Sequence, residues 1–304
     1  MTLVRPLSNH VALVTGASRG IGRGIALQLG EAGAKVYVTG RPQKNSDGKQ
    51  TPLEKVAAEI TQRGGVGVPI FCDHSNPEKV KELFEQIKKE TDGQLDILVN
   101  NAYAGVDFVF ENATNKFFDL DPVDSFDSAN NVGLRNHYIC SVYASRLMIP
   151  RKQGLIVTIS SLGGMGYLFD VAYGVGKAGC DKLASDMAVD LLNTGVLSVS
   201  LWPGAVRTEA VQEAFLKTDN PFKKVFEKGE SVEYSGKCIV ALASDTEREK
   251  YNGNILTTAI LGRHYNIFDE KNTQPMETPP RFQKYLSVVN ELRTPADFKK
   301  NLEG

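Results

Sequence analysis

Residues 173–177 (YGVGK) combine a phenol and an ammonium at a spacing suited to proton transfer. A phenol is a poor acid at neutral pH, because its ordinary pKa is about 10. Lys177 follows Tyr173 by one helical turn on the same face, and an ammonium there would stabilise a phenolate. The two residues form a candidate acid/base pair. An ordinary helix with an exposed tyrosine and lysine is the alternative.

A serine hydroxyl stands thirteen residues before that tyrosine. Ser160 closes the apolar run at residues 155–159 (LIVTI), which predicts a buried strand. A hydroxyl at the end of this strand could hold a substrate oxygen beside the phenol. Ser160, Tyr173 and Lys177 are therefore the predicted catalytic residues.

A glycine-rich turn stands near the start of the chain, at residues 15–22 (TGASRGIG). It follows a predicted strand and opens a predicted helix, so glycine backbone and free N–H groups could hold a pyrophosphate. The turn also fits the G-x-S-x-G elbow of hydrolases. Only fifteen residues precede Gly16, however, so the strands that would supply an oxyanion loop are missing. A plain tight turn is the remaining alternative.

The end of the second predicted strand bears on cofactor choice. A site that prefers NAD would place a carboxylate there for the ribose hydroxyls, but Gly40 and Arg41 occupy these positions. Arg19 in the glycine turn is a second cation for the same region. Two guanidinium groups suit a 2′-phosphate, which predicts NADP(H) as the cofactor. Arginines that are merely solvated are the alternative.

Strand-like apolar runs alternate with helix-period segments to about residue 258, which predicts a parallel sheet with helices on both faces. The predicted strands are 10–15, 35–39, 66–72, 95–100, 154–160, 196–202 and 254–258. The predicted helices are 20–32, 51–64, 77–91, 123–149, 171–194 and 231–244.

Five motifs follow one another in the order and spacing of the short-chain dehydrogenase/reductase family, which residues 8–260 resemble. They are the glycine turn, residues 100–102 (NNA), Ser160, the Tyr173/Lys177 pair and residues 203–208 (PGAVRT). Within this family, the chain resembles an animal subfamily called dehydrogenase/reductase member 1, in residues 15–29, 100–106, 130–148 and 173–183. This resemblance implies a Rossmann-like, doubly wound sheet of seven parallel strands in the order 3-2-1-4-5-6-7. It also implies NADPH-dependent reduction of steroids or other lipophilic carbonyls.

The resemblance further implies which residues bind the cofactor: Gly16, Ser18, Arg19, Gly20, Ile21, Gly22, Arg41, Asp73, Asn101, Tyr173, Lys177, Pro203, Gly204, Val206 and Thr208. Asp73 and Asn101 are expected at the adenine, and the residues from Pro203 onward at the nicotinamide. Turn capping by Asp73 and Asn101 is the alternative interpretation.

One position departs from the family's pattern. The family usually has an asparagine 27 residues before the serine, where this chain has Gly133. A glycine can still supply a main-chain carbonyl and tolerate a kink. Alternatively, a local bulge brings Asn131 into register.

Composition restricts the partners and the compartment. The 304 residues are 41% hydrophobic and 23% charged, and the net charge is −1, so no nucleic-acid partner is expected. Four cysteines and four histidines lack metal-ligand spacing, so no metal is expected. No apolar leader or spanning segment is found, which predicts a cytoplasmic protein. Peripheral association with an endoplasmic reticulum or other organelle membrane is the alternative.

We predict one dinucleotide-binding catalytic domain over residues 1–261 and an extension over 262–304 that is not a separate domain. The extension contains one amphipathic stretch, residues 280–293, expected to dock on protein rather than on a membrane surface. The long helices at 123–149 and 171–194 are similar to the family's dimerising pair, which implies a homodimer or homotetramer.

The substrate is expected to be lipophilic. Residues 162–169 are apolar and glycine-rich, and residues 206–226 are the expected lid. The aromatic loop at 103–124 either lines the pocket or packs on its own sheet. The predicted function is NADPH-dependent reduction of a lipophilic carbonyl to an alcohol, with Tyr173 as the proton donor. A non-catalytic NADP(H)-binding regulatory or scaffold protein is the alternative.

Overall fold

Seven parallel strands form the central sheet, in the order β3-β2-β1-β4-β5-β6-β7. The structure is a computed structural model, and it describes residues 5–42, 50–217, 223–292 and 295. The strands are β1 Val11–Val14, β2 Lys35–Gly40, β3 Val66–Phe71, β4 Ile97–Asn100, β5 Gly154–Ile159, β6 Val196–Trp202 and β7 Ile255–Thr257. The predicted fold class and strand order are confirmed.

Helices cover both faces of this sheet. They are α1 Gly20–Glu31, α2 Pro52–Gln62, α3 Pro77–Glu90, α4 Val106–Glu111, α5 Pro122–Asn130, α6 Asn136–Met148, α7 Val171–Asp190, α8 Glu209–Val211, α9 Lys223–Glu227, α10 Tyr234–Ser244, α11 Thr258–His264 and α12 Pro280–Leu292. Local sequence sets several of the starts. Thr51 forms a capping box with Glu54 at the start of α2, and the Asn76 side chain caps α3.

Successive side chains of β1 point into two different hydrophobic clusters, one on each face of the sheet. Ala12 and Val14 join the cluster that includes Ile25 of α1. Val11 and Leu13 join the cluster that includes Leu83 of α3. The four central strands β1, β4, β5 and β6 are buried along their whole length, which explains their near-continuous apolar sequences.

The strand order reverses between β1 and β4, which are neighbours although two other strands intervene in sequence. The loops that follow these two strands therefore diverge to opposite sides. A crevice forms at the carboxyl ends of the strands, which is where ligands bind in sheets of this type.

The helix predicted at 123–149 is not one regular helix. A π-helical turn, Asn131–Arg135, separates α5 from α6. Gly133 lies inside this turn and is buried. A π-helical turn is a local bulge, which was one of the two interpretations offered for the departure at Gly133, and it begins at Asn131.

Helix α12 packs against the end of the sheet. Leu286 joins a buried cluster with Trp202 of β6 and Ile255 of β7. The Asn290 side chain accepts from the Ile255 N–H at 2.8 Å and donates to the Ile255 carbonyl at 3.0 Å. A side-chain amide thereby pairs with the edge strand, whose free groups would otherwise face solvent.

The apolar face predicted for this helix is narrower than expected. Phe282 and Leu286 are buried, but Tyr285 is 38% and Leu292 is 73% exposed. The predicted helix end at residue 293 lies outside the described residues. The division into a domain over 1–261 and an extension over 262–304 stays a prediction. None of the helices within the described ranges is long and apolar enough to cross a membrane.

Candidate active site

A cleft of about 690 Å³ opens at the carboxyl ends of the strands. All the predicted catalytic and cofactor-binding residues line this one cleft, although they come from segments spread over nearly two hundred residues. The topology is responsible, because parallel strands bring their carboxyl-end loops to a single edge. Among the described residues, no group of three or more His, Cys, Asp or Glu side chains could hold a metal ion.

Tyr173 is fixed by the start of α7. The Asp170 side chain caps this helix by accepting from the Tyr173 N–H at 2.8 Å. Phe169, just before the cap, has a φ of 65°, an unusual value for a bulky residue. On the other side, a Cβ placed on Gly163 would lie 2.5 Å from the Tyr173 ring. Only a glycine lets the preceding loop approach the phenol this closely.

Lys177 lies one turn further along α7 and is buried. Its ammonium donates to the Ile159 carbonyl at 3.1 Å, at the last residue of β5. The Lys177 Nζ also lies 5.8 Å from the centre of the Tyr173 ring and 5.1 Å from the centre of the Tyr103 ring. The predicted acid/base pair is therefore assembled at the end of β5.

The two serines after β5 face different partners. The Ser160 hydroxyl is buried and donates to the Lys177 main-chain carbonyl at 3.0 Å. The Ser161 hydroxyl lies 2.8 Å from the phenolic oxygen of Tyr173. Ser161 has an extended backbone, in which neighbouring side chains point to opposite sides. The structure thus brings Ser161, and not the predicted Ser160, to the phenol.

The glycine turn has the geometry of an anion cradle. Gly16 and Gly20 have φ values of 66° and 59°, which favour glycine. A Cβ on Gly22 would lie 2.3 Å from the Asn101 side-chain nitrogen. The Gly20 N–H donates to the Glu209 carboxylate at 3.0 Å, so this helix N-terminus already binds a negatively charged group. The residues of the turn therefore fit the phosphates of a dinucleotide.

Arg19 and Arg41 are exposed at the same end of the cleft, next to Gly40. A Cβ on Gly40 would lie 3.4 Å from the Ser18 Cβ. The Arg41 charge also contributes to lowering the pKa of Asp73, although the main cause is hydrogen bonding from Ser75. Position 40 itself has no side chain, and the two exposed arginines line this part of the cleft together with Asp73.

Asp73 and Asn101 both cap turns, as the alternative interpretation had it, and both also line the cleft. Asp73 accepts from the Ser75 N–H and hydroxyl. The Asn101 side chain donates to the carbonyls of Thr15 and Gly16. Each residue therefore has a structural role in a turn and also lies at the surface of the cleft.

Residues 203–208 form the floor of the cleft after β6. Thr208 caps α8 by accepting from the Val211 N–H. The buried Glu230 side chain lies beneath this loop and accepts from the Thr258 hydroxyl at 2.8 Å. Burial raises the pKa of Glu230 to about 8. Pro203, Gly204 and Val206 line the cleft as expected.

Aromatic side chains form one wall of the cleft. The Phe110 ring packs against Phe215 at 4.7 Å and against Phe169 at 5.6 Å between ring centres. Phe169 in turn packs edge-on against Tyr173 at 5.3 Å. Part of the aromatic loop at 103–124 thus lines the pocket. Its Phe117 and Phe118 do not, since they contact each other and are 63% and 71% exposed.

The predicted lid at 206–226 and the extension both reach the cleft. Val211, Val225 and Phe226 contribute from the lid, whose residues 218–222 lie outside the described residues. Residues 275–279 close the cleft from the C-terminal side. The extension therefore forms part of the pocket wall, which the sequence did not indicate.

A family model described as short chain dehydrogenase matches residues 10–219. The chain belongs to this family. It is similar to Dehydrogenase/reductase SDR family member 1 from Homo sapiens, with 50% identity over 297 residues, 95% of this chain and 92% of the relative. The Mus musculus protein of the same name is 51% identical over 274 residues, 88% of this chain and 85% of the relative.

A metagenomic short-chain oxidoreductase, solved in complex with NADP, shares the fold of this short-chain dehydrogenase. It superposes with a TM-score of 0.64 and 28% identity, over 79% of this chain and 93% of the other. Membership of the family makes the chain an oxidoreductase that uses a nicotinamide cofactor.

Two residues of this short-chain dehydrogenase site were missed from the sequence. Ser161 is the residue after the predicted Ser160. The two serines differ in the direction of their side chains, which the sequence does not show. Tyr103 follows residues 100–102 and contacts the buried Gly133, and a Cβ on this glycine would lie 3.1 Å from the Tyr103 ring. The glycine at position 133, where the family usually has an asparagine, was the sequence signal for Tyr103. A missing side chain at a buried position implies that a group from elsewhere in the chain fills that space.

Proposed function

We propose that the protein is an NADPH-dependent reductase of lipophilic carbonyl compounds, such as ketosteroids or xenobiotic ketones and aldehydes. The observation that carries the proposal is the 2.8 Å contact between the Ser161 hydroxyl and the Tyr173 phenol, with the Lys177 ammonium behind them. Two hydroxyl donors at one point of an apolar cleft suit a single carbonyl oxygen.

The proposed catalytic residues have distinct roles. Ser161 and Tyr173 donate hydrogen bonds to the carbonyl oxygen, whose negative charge grows as the carbonyl is reduced. Tyr173 then donates its proton to that oxygen. The Lys177 ammonium stabilises the phenolate that remains. When bound, the nicotinamide cofactor supplies the hydride.

Ser160 has a different proposed role from the one first assigned to it. Its hydroxyl is bonded to the Lys177 main chain and is turned away from the phenol. Ser160 therefore positions α7 against the end of β5, and Ser161 takes the place beside the substrate.

NADP(H) is the proposed cofactor. Arg19 and Arg41 lie at the end of the cleft where Gly40 provides no carboxylate, and guanidinium groups suit a 2′-phosphate. We propose that the predicted set holds the cofactor: Gly16, Ser18, Arg19, Gly20, Ile21, Gly22, Arg41, Asp73, Asn101, Tyr173, Lys177, Pro203, Gly204, Val206 and Thr208.

The substrate class follows from the wall of the cleft. Phe110 and Phe169 line the cleft, Phe169 packs against Tyr173, and both rings pack on the buried Phe215. Met276 reaches the same cleft from the extension. Such a wall favours a large apolar molecule over a sugar or a charged acid, because burying apolar area drives its binding.

The chain is proposed to form a homodimer or homotetramer. Phe126 of α5, Tyr138 of α6 and Val175 of α7 are each about half exposed on the predicted pair of helices, which is costly for an isolated chain. A cytoplasmic location, with peripheral membrane association as the alternative, belongs to the same proposal.

The test is a screen of ketosteroids, quinones, aldehydes and diketones with NADPH, in which loss of the reduced cofactor's absorbance is followed. Turnover of a lipophilic carbonyl that is lost in Tyr173→Phe would support the proposal. Tight NADPH binding without turnover on any of these compounds would favour the non-catalytic alternative instead.

A further inference from the structure

The Tyr103 side chain occupies an unusual position next to the acid/base pair. It follows β4 in the loop before α4, and its ring lies edge-on to the Tyr173 ring with 6.1 Å between their centres. The Lys177 Nζ lies 5.1 Å from the centre of the Tyr103 ring. The face of an aromatic ring is electrically negative, so a cation at this distance is attracted to it.

Lys177 needs such a partner. Its ammonium is buried, and none of the salt bridges within the described residues includes it. The Ile159 carbonyl accepts one of its three protons. A buried charge is costly unless polar groups compensate for it, and the Tyr103 ring is nearer to the ammonium than the Tyr173 ring.

Gly133 makes room for the Tyr103 ring. A Cβ at this position would already lie 3.1 Å from Tyr103 Cδ2, so any longer side chain would displace the ring. The π-helical turn that contains Gly133 therefore presents bare backbone to Tyr103. The Tyr103 ring, from the loop after β4, thus fills the space that a side chain at position 133 would occupy.

The Tyr103 hydroxyl does not explain why the residue is there. It is buried, and it has no hydrogen-bond partner among the described residues. Burial raises the pKa of Tyr103, so the phenol stays neutral and cannot act as a second acid/base group at ordinary pH. The ring, rather than the hydroxyl, is the part that contacts the site.

Two titratable groups near Lys177 are also held neutral, whereas the buried Asp181 side chain, one turn further along α7, accepts from the Ser200 hydroxyl and the Trp202 Nε1–H. Burial, with a smaller contribution from the Lys177 charge, lowers the pKa of His137 on α6 to about 3. Burial raises the pKa of Cys180 on α7 to about 11. Neither group can compensate the ammonium charge near neutral pH.

We propose that Tyr103 is a positioning residue: its ring face, seated in the space left by Gly133, holds the Lys177 ammonium beside Tyr173. This inference rests on the proposed function, because it assigns to Lys177 the stabilisation of the Tyr173 phenolate. A loosely held ammonium would stabilise the phenolate less, so the pH at which Tyr173 loses its proton should rise when the ring is removed.

Two substitutions separate the ring from the hydroxyl. Tyr103→Leu removes the aromatic face, and we expect kcat to fall about tenfold and the pH midpoint of alcohol oxidation to rise by about half a unit. Tyr103→Phe keeps the face and should return the midpoint to its original value. Phe110→Leu removes another ring from the same wall without contact to Lys177, so it should change KM and leave the midpoint where it was.

A spectroscopic titration tests the same point without turnover. Phenolate absorbance is followed against pH in the protein with and without Tyr173→Phe, and the difference isolates the deprotonation of Tyr173. The same pair of titrations is repeated in the Tyr103→Leu background. If Tyr103→Leu folds poorly, a fluorinated phenylalanine at position 103 keeps the shape and weakens the negative face. An unchanged pH midpoint for Tyr173 deprotonation in these variants would overturn the inference. A shifted midpoint for Tyr173 deprotonation, in a protein that reduces no carbonyl, would support the positioning role of Tyr103 even though the proposed function fails.

Discussion

The hydroxyl oxygen of Ser161 lies 2.8 Å from the phenolic oxygen of Tyr173. The neighbouring Ser160 hydroxyl is bonded to the main chain of Lys177 instead. The two adjacent serines at the end of β5 therefore make different contacts. One faces the cleft, and the other ties the helix that carries the acid/base pair to the sheet.

Ser161→Ala should lower kcat by about a hundredfold, because it removes one of two donors to the developing oxyanion. Ser160→Ala is the matched variant one residue earlier. It should lower the free energy of unfolding by about 1 kcal/mol, the value of one lost hydrogen bond, and reduce kcat far less. Steady-state kinetics and urea denaturation of both variants measure these effects. The opposite ranking of the two kcat values would return the catalytic role to Ser160.

Tyr173→Phe should abolish turnover and leave NADPH binding nearly intact. The phenyl ring keeps its contacts with Phe169 and Tyr103, and only the proton donor is lost. Cofactor binding by fluorescence titration and turnover on the best substrate of the screen are the two measurements. Activity close to that of the unaltered protein would place the chemistry elsewhere in the cleft.

Arg41→Ala should weaken NADPH binding by about 1.5–3 kcal/mol and spare NADH, since only the former carries a 2′-phosphate. Arg151→Ala, an exposed arginine that does not line the cleft, controls for the change in net charge. Calorimetric titration with both cofactors gives the comparison. The argument from Arg19 and Arg41 fails if the unaltered protein binds NADH more tightly than NADPH.

Stability should depend on pH through Glu230. Folding raises its pKa from 4.5 to about 8, chiefly by burial, so between these values the folded chain keeps a proton that the unfolded chain releases. The stabilisation is complete below pH 4.5 and is lost as the pH rises toward 8. Glu230→Gln cannot ionise, so its free energy of unfolding should decline less over this window.

Urea denaturation across the window from pH 4.5 to 8 measures the Glu230 effect. Glu247→Gln alters a side chain that is 80% exposed and should decline as steeply as the unaltered protein. Equal pH slopes for Glu230→Gln and the unaltered protein would show that Glu230 is already ionised in the folded chain.

Helix α12 should stabilise the protein by its buried contacts. Leu286→Ala should lower the free energy of unfolding by about 2–5 kcal/mol, because Leu286 is buried against Trp202 and Ile255. Leu292→Ala changes a side chain that is 73% exposed on the same helix and should have little effect. Thermal denaturation of the two variants provides the comparison.

Removal of residues 280–304 tests the remaining alternative for the extension. We expect a lower melting temperature or a changed assembly state, because burial of Phe282 and Leu286 is lost. Unchanged stability and assembly together with lost liposome binding would support a membrane-surface role instead.

The sequence by itself determined the features that depend on local spacing. Tyr173 and Lys177 share a helix face because one turn separates them, and the glycine turn lies between strand and helix because its own residues require it. The strand order also agrees with the resemblance, since alternating strands and helices leave few topologies open.

Only the tertiary structure decided the contacts made between distant segments. Spacing pointed to Ser160, but the docking of α7 on β5 brought its neighbour Ser161 to the phenol instead. Tyr103 meets Gly133 and Lys177 because three separate elements converge at the carboxyl ends of the strands. Linear spacing carries no information about such packing, because the shape of the space between elements depends on all of them at once.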